Sequence, residues 1–200
     1  MIAYIKAIQE KLAAAGFYKG AIDGIVGKQT AAAIDQLLAK VGGSPATSTA
    51  TASWELSQRS KEELFGVDDD LRRVVEKLAQ TSTLQFEVIE GLRTSERQAE
   101  LVKQGASQTM NSKHLTGEAV DIVPLINGKI SWDWEHIYRL TDALKKVATE
   151  LKVKIRWGGC WQVITDSPKT AKQLSADYVA SKRAIGGSPF LDGVHFEIRK

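Results

Sequence analysis

Ser112-Lys113-His114-Leu115-Thr116-Gly117-Glu118-Ala119-Val120-Asp121 is the stretch on which the chain is organised, read together with Asp192-Gly193-Val194-His195. The chain has three histidines in 200 residues, and two of them lie in these two stretches, each with an aspartate at a short spacing. A catalytic zinc site takes three protein ligands of N or O type and keeps a fourth position open. His114, Asp121 and His195 supply such a set, and Asp192 remains as a candidate base. Gly117 breaks the local geometry after the first histidine. From Ala119 to Val123 the chain reads as a strand, with Ala119, Asp121 and Val123 on one face and Val120 and Ile122 on the other. In an unbroken strand Asp192 and His195 would face opposite ways, but Gly193 lets the chain turn so that both aim at one ion.

The segments around these motifs supply a frame. Leu84, Phe86 and Val88 alternate with Gln85 and Glu87, a strand with one buried face that runs out at Gly91. Ser95-x-x-Gln98 then has the spacing of a capping box. Upstream, Ser60 to Leu64 read as a short helix. Asp68 to Asp70 cap a longer one that buries Leu71, Val74, Val75 and Leu78. Downstream, Asn127-Gly128 is a turn signal. Trp134, Ile137, Leu140, Leu144, Val147 and Leu151 form a helical stripe, and His136 falls between stripe positions as a structural, half-exposed residue. Val153 to Trp157 is a short strand before Gly158-Gly159-Cys160-Trp161. Residues 166 to 188 carry no assignable period, and Lys169, Lys172, Lys182 and Arg183 read as a solvated face. Val194, Phe196 and Ile198 alternate with His195 and Glu197 in a last strand. The sum is α+β: a small, mostly antiparallel sheet with flanking helices.

The first forty residues differ in kind. Ile5, Ile8 and Leu12 mark an amphipathic helix over 2–15 that Gly16 ends. A glycine-rich turn follows, then a second helix from about Thr30 with Ala33, Ile34, Leu37 and Leu38 as its buried stripe. Residues 41–53 are small and polar and cannot bury enough surface to offset their ordering entropy, so they read as a flexible linker. The expected layout is a helical module at 1–40, a tether at 41–53 and a larger domain at 54–200.

Hydrophobic residues at 43% and charged residues at 26% exclude wholesale disorder. A net charge of +3 suits a polyanionic neighbourhood such as nucleic acid or cell wall and selects neither. Cys160 is the single cysteine, which rules out an intramolecular disulfide and a cysteine-built zinc site. The N-terminus lacks a basic, apolar, small-residue leader, and no apolar run approaches the ~20 residues of a membrane span. Synthesis in the cytoplasm, without stable membrane insertion, is therefore expected, and a substrate outside would require a separate release step.

Chemically, two neutral imidazoles and one carboxylate leave a divalent ion with a formal charge of about +1. Such an ion is less electrophilic than one held by three histidines, so the attacking water needs its own base, the role open to Asp192. Arg93, between a strand end and a helix start, is either an oxyanion donor or a surface salt bridge. Gln98 either binds substrate or closes the capping box.

The full pattern, Ser-x-His-x-x-Gly-x-Ala-x-Asp followed by Asp-x-x-His-Phe-Glu, resembles the LAS group of zinc peptidases, specifically the VanY-like L-alanyl-D-glutamate endopeptidases of bacteriophage endolysins. The resemblance extends over nearly all of residues 55–200 and takes in Gly91-Leu92-Arg93-Thr94, Gln98 and Trp157-Gly158-Gly159. It implies one zinc ion on His114, Asp121 and His195, Asp192 as catalytic base and Arg93 as a second catalytic group. It also implies substrate contacts at Gln98, Ser112 and Trp157. Cys160 departs from the acidic residue relatives often carry there, and is read as either a regulatory thiol or an inert buried one.

Gln9, Leu12, Gly16-Phe17-Tyr18, Gly20, Asp23-Gly24, Gly27, Thr30 and Ala33-Ile34 are similar to the small peptidoglycan-binding domain of cell-wall hydrolases. Leu37-Leu38 depart from its usual Phe-Gln. That resemblance implies a wall-binding module using Tyr18, Asp23, Gly24 and Thr30. Together the two imply a monomeric phage lysin that cleaves a peptidoglycan stem-peptide amide, L-Ala–D-Glu, after passing a permeabilised membrane, with no nucleic-acid partner. The rival readings are a D-alanyl-D-alanine carboxypeptidase or dipeptidase of the same fold, and a non-catalytic wall-binding protein.

Overall fold

The structure, a computed structural model, describes residues 2–25, 29–30, 32–33, 36–37 and 54–199. The chain divides into two units, Met1–Ala50 and Thr51–Lys200. In the first, helix α1 spans Ile2–Ala14. It stops where Gly16 adopts φ +79°, a left-handed conformation that costs glycine nothing. Leu12, Tyr18 and Ala33 form the small core, with Ile8, Ala13, Phe17 and Leu37 packed on it. The described residues between 29 and 37 are helical, as the second stripe predicts. Gly27, Ile34, Leu38 and the expected tether at 41–53 lie outside the described residues.

The second unit opens with helix α2 (Gln58–Glu63), then α3 (Asp69–Thr81). Asp68 caps α3 by accepting from the backbone N–H groups of Asp70 and Leu71, and Asp69 and Asp70 occupy its positive first turn. The acidic run is thus a cap, as its spacing predicts. Strand β1 (Phe86–Glu90) and helix α4 (Ser95–Lys103) follow, then a short 3-10 turn, Lys113–Thr116. Next come strand β2 (Ala119–Ile126), strand β3 (Lys129–Ile130), helix α5 (Trp134–Glu150) and strand β4 (Ile155–Trp157). Strand β5 (Gln162–Val163), helix α6 (Ala171–Ala184) and strand β6 (His195–Ile198) complete the unit.

The sheet order is β1-β2-β6-β4-β5, with β3 folded onto β2. Every pairing is antiparallel. The β2–β3 hairpin turns on Asn127 and Gly128, both at positive φ, as a two-residue primed turn requires. One sheet face, with Phe86, Val120, Ile122, Trp157 and Phe196, buries Leu71 and Leu78 of α3 and Leu140 and Leu144 of α5. Each fully buried side chain of this size contributes about 1.5–3 kcal/mol. The α+β expectation holds.

Helix α6 is the element that the sequence reading leaves unassigned. Thr170 and Gln173 form a reciprocal capping box at its start. Lys169 pairs with Asp177 and Lys172 with Glu135 on its exposed side, the solvated face expected of them.

Candidate metal centre and its cleft

Backbone register assembles the centre before any side chain is considered. Strands β2 and β6 pair with Asp121 directly opposite His195. The 3-10 turn that carries His114 starts at Ser112, whose Oγ accepts from the His114 N–H, and ends at Gly117 with φ +69°. Three ligand atoms result. His114 Nε2 lies 3.2 Å from Asp121 Oδ1 and 3.1 Å from His195 Nδ1, and the last two lie 3.1 Å apart. A tetrahedral ion with ligands at about 2.0–2.1 Å sets ligand-to-ligand edges of about 3.3 Å, so the triangle fits a divalent metal. Among the described residues this trio is the one group of His, Cys, Asp or Glu side chains disposed to hold such an ion.

Each imidazole is turned by an acceptor on its far side. His114 Nδ1 lies 2.7 Å from the Gly91 carbonyl, which can only accept, so the proton sits on Nδ1 and Nε2 presents its lone pair. His195 Nε2 lies 3.3 Å from Glu197 Oε2, which leaves Nδ1 for the ion. Glu197 is buried and is held in turn by Arg156 Nη1 at 2.9 Å, its cross-strand partner on β4. The sequence reading missed this role. The signal was the His-x-Glu spacing, which puts both side chains on one strand face.

The charges follow from these contacts. Burial opposes ionisation of Asp121, but the two imidazoles, His114 and His195, packed against its carboxylate outweigh it and hold the carboxyl well below the usual range. Burial likewise opposes the charged form of His195, yet bonds to Asp121 and Glu197 raise it to about 9 in the ion-free site. Glu197, with burial offset by His195 and Arg156, falls to about 2. Asp192 goes the other way: burial, and then the negative charge of Asp121, push its carboxyl up.

Asp192 lies on the same cleft as the trio. Its backbone N–H donates to Gly158 at 3.1 Å, and its carbonyl accepts from the His195 N–H at 3.3 Å, which closes the expected turn. Gly193 sits in that turn for a reason the sequence does not give. A Cβ there would meet the Trp134 ring at 2.8 Å, so close approach and not left-handed φ requires glycine. Gly158 is pinned more tightly still, since a Cβ would fall 2.3 Å from the Asp192 carbonyl.

Arg93 is no surface salt bridge, because only 7% of its side chain is exposed. Its guanidinium grips Glu90 through Nε (2.8 Å) and Nη2 (2.7 Å), donates to Gln98 Oε1 at 2.6 Å, and reaches Asp121 Oδ2 at 3.5 Å. It therefore steadies the oxygen of Asp121 that faces away from the trio. Two expected substrate contacts are corrected. Gln98 is fully buried and donates to Ser107 Oγ and the Thr109 carbonyl, so it ties the 107–109 loop to Arg93. Nor does it close a capping box, because Thr94 caps α4 one residue earlier. Trp157 is fully buried in the core, and its Nε1 donates to the Gly193 carbonyl. The tryptophans on the cleft are Trp132 and Trp161, and the Trp161 ring lies 5.6 Å from that of His195. Ser112 does line the cleft. Cys160 is the inert alternative, 1% exposed with its thiol pushed up by burial. His136 is half-buried and bonds Ser131 through Nδ1, a structural role.

In the first unit, Tyr18, Asp23, Gly24 and Thr30 converge on Gln9, which is fully buried. Gln9 Oε1 accepts from the Gly24 N–H at 2.8 Å, and its Nε2 faces Tyr18, Asp23 and Thr30 at 2.9–3.2 Å. Tyr18, Gly24 and Thr30 are buried, so the expectation that they touch the wall is corrected: they lock the turn, and of the four only Asp23 is exposed.

The cleft holds about 1070 Å³, with the trio and Asp192 on its wall. Comparisons with known proteins bear on what it acts upon. Residues 52–180 match the family described as "Phage L-alanyl-D-glutamate peptidase". Residues 3–37 match the family described as "Putative peptidoglycan binding domain". Over 129 residues the chain is 32% identical to the L-alanyl-D-glutamate peptidase of Escherichia phage T5, covering 62% of this chain and 94% of that protein. It is 34% identical over 103 residues to the L-alanyl-D-glutamate peptidase of Listeria phage A118, which is 50% of this chain and 36% of that longer relative. Among solved structures, the Serratia marcescens L-Ala D-Glu endopeptidase ChiX matches with a TM-score of 0.56 at 33% identity, over 74% of this chain and 91% of that one.

Proposed function

Because the chain belongs to the phage L-alanyl-D-glutamate peptidase family, we propose that it hydrolyses the L-Ala–D-Glu amide of the peptidoglycan stem peptide, using one zinc ion held by His114, Asp121 and His195. The observation that carries this reading is the triangle of ligand atoms with 3.1–3.2 Å edges, each imidazole oriented by an acceptor behind it. Two nitrogen donors and one carboxylate oxygen in that arrangement suit zinc. When bound, zinc supplies a Lewis acid that polarises the scissile carbonyl and acidifies water. The chain's own groups do the rest. Asp192 takes a proton from the attacking water as the new C–O bond forms, then gives it to the departing nitrogen as the C–N bond breaks. Its raised pKa suits both halves of that exchange. Arg93 fixes Asp121 and adds positive charge where the carbonyl oxygen gains electron density.

Mass spectrometry of digested stem peptides tests the bond. New termini at L-Ala and D-Glu, lost with a chelator and regained with zinc, are expected. Release of terminal D-Ala alone would leave the carboxypeptidase reading in its place, and chelator-indifferent binding to sacculi without cleavage would leave the non-catalytic one.

The module at 1–40 docks the enzyme on the wall, and the 41–53 tether keeps it there at high local concentration. The enzyme works as a monomer and reaches the wall through a membrane permeabilised by another factor. None of the described helices is long and apolar enough to cross a membrane. Removing residues 1–45 should leave the rate on soluble stem peptides within about twofold and weaken action on sacculi roughly tenfold or more. Equal potency of the shortened chain on sacculi would remove the docking role.

A further inference from the structure

The cleft has a cationic wall with donors that neither the metal centre nor the proposed mechanism uses. Lys169, just before α6, and Lys172 on it point outward and are each paired with a carboxylate. Lys182 is different. It lines the cleft and is half-buried, its ammonium sits 5.7 Å above the Tyr178 ring one turn earlier, and no carboxylate lies within ion-pair distance among the described residues. From β4, Arg156 reaches the same cleft, lying 5.0 Å over the Trp161 ring. It spends Nε on the Trp161 carbonyl and Nη1 on Glu197, while Nη2 has no hydrogen-bond partner among the described residues. Arg199 Nη1 lies 3.8 Å from the same Glu197. Arg156 and Arg199 thus share one carboxylate that is already committed to His195, and Lys182 has none. The wall begins one aromatic ring from the metal centre, since Trp161 touches both Arg156 and His195.

A cleft lysine with no protein counter-ion leaves its ammonium available to a ligand carboxylate. The L-Ala–D-Glu substrate carries such a group. A glutamyl residue acylated on its nitrogen and linked onward through one carboxyl keeps the other free, ionised at neutral pH and close to the leaving nitrogen. We propose that Lys182, together with Arg156, recognises this free D-Glu carboxylate, making the enzyme selective for stem peptides that carry a carboxylate there over those that carry a carboxamide. The inference rests on the L-Ala–D-Glu reading above. Charge-assisted bonds at a partly desolvated wall are the stronger kind, and a neutral amide forfeits them.

Two soluble stem peptides that differ only in that group, carboxylate against carboxamide, test it with the zinc-loaded full chain. The wild-type kcat/KM should favour the carboxylate by roughly tenfold or more. Lys182→Met should bring the ratio most of the way to one, while Lys172→Met, on the same helix but facing solvent, should leave the ratio as it is. A wild-type ratio near one, or a ratio that survives Lys182→Met, overturns the proposal while leaving the peptidase reading intact. Failure to cut either peptide at Ala–Glu overturns both.

Discussion

Asp192→Asn should lose turnover by about two to four orders of magnitude and keep one zinc per chain. The carboxylate is not one of the three converging ligand atoms, so its replacement leaves the triangle intact. Its backbone, which sets the 192–195 turn through Gly158 and His195, is unchanged by the substitution. Asparagine has the same shape but cannot take a proton near neutral pH, so the water loses its acceptor and the leaving nitrogen its donor. Loss of fold does not enter. Burial and the neighbouring Asp121 raise the Asp192 pKa above its unfolded value, so ionising Asp192 costs the ion-free protein stability at every pH above that unfolded value. A neutral amide removes that cost, and the variant should melt at the same temperature as the wild type or higher. Steady-state kinetics, metal analysis and a thermal melt together decide. Activity within tenfold of wild type would place the base elsewhere.

How much of this was legible in the chain depends on whether local or distant chemistry sets each position. The trio was legible because strand alternation and two glycine-containing turns constrain His114, Asp121 and His195 to few arrangements. The acidic cap at Asp68 and the Asn127-Gly128 hairpin were legible for the same reason: the physics lies within four residues. Gln98 misled because a capping-box spacing is a local rule, and Thr94 capped the helix one residue earlier, freeing Gln98 for a buried bond to Arg93. The tryptophans are a sharper case. Ile155 and Trp157 share the core face of β4, which strand parity could have told, whereas Trp161 reaches the cleft through a positive φ of 54° that no period predicts. Likewise Tyr18 and Thr30 read as surface contacts until Gln9, a polar residue inside an apolar stripe, is seen to gather them. Helix α6 went unassigned because its stripe is weak, yet its cap was written as Thr170-x-x-Gln173.

His195→Ala should abolish stoichiometric zinc binding, and peptide cleavage with it. Two of three protein donors remain, and the loss should exceed the 10–100-fold typical of removing an outer-shell partner. Stability should fall too, by about 3 kcal/mol or more, for a reason independent of the ion. The imidazole sits between two carboxylates, Asp121 at 3.1 Å and Glu197 at 3.3 Å, and both are poorly hydrated. Without it Asp121 keeps His114 and the longer contact to Arg93, Glu197 keeps Arg156, and a cavity opens beside Trp161. The wild-type protein supplies the matching pH test. With His195 raised to about 9 in the ion-free site, the proton on Nδ1 must leave before that nitrogen can bind zinc. Below pH 9, therefore, the apparent zinc affinity should weaken by about tenfold for each unit the pH falls, and zinc uptake at pH 7 should release a proton from this residue. Calorimetry in buffers of different ionisation enthalpy counts that proton, and a chelator competition measures the affinity. Full zinc occupancy in His195→Ala would mean that the ion is held by other side chains, and the metal centre drawn from His114, Asp121 and His195 would have to be given up.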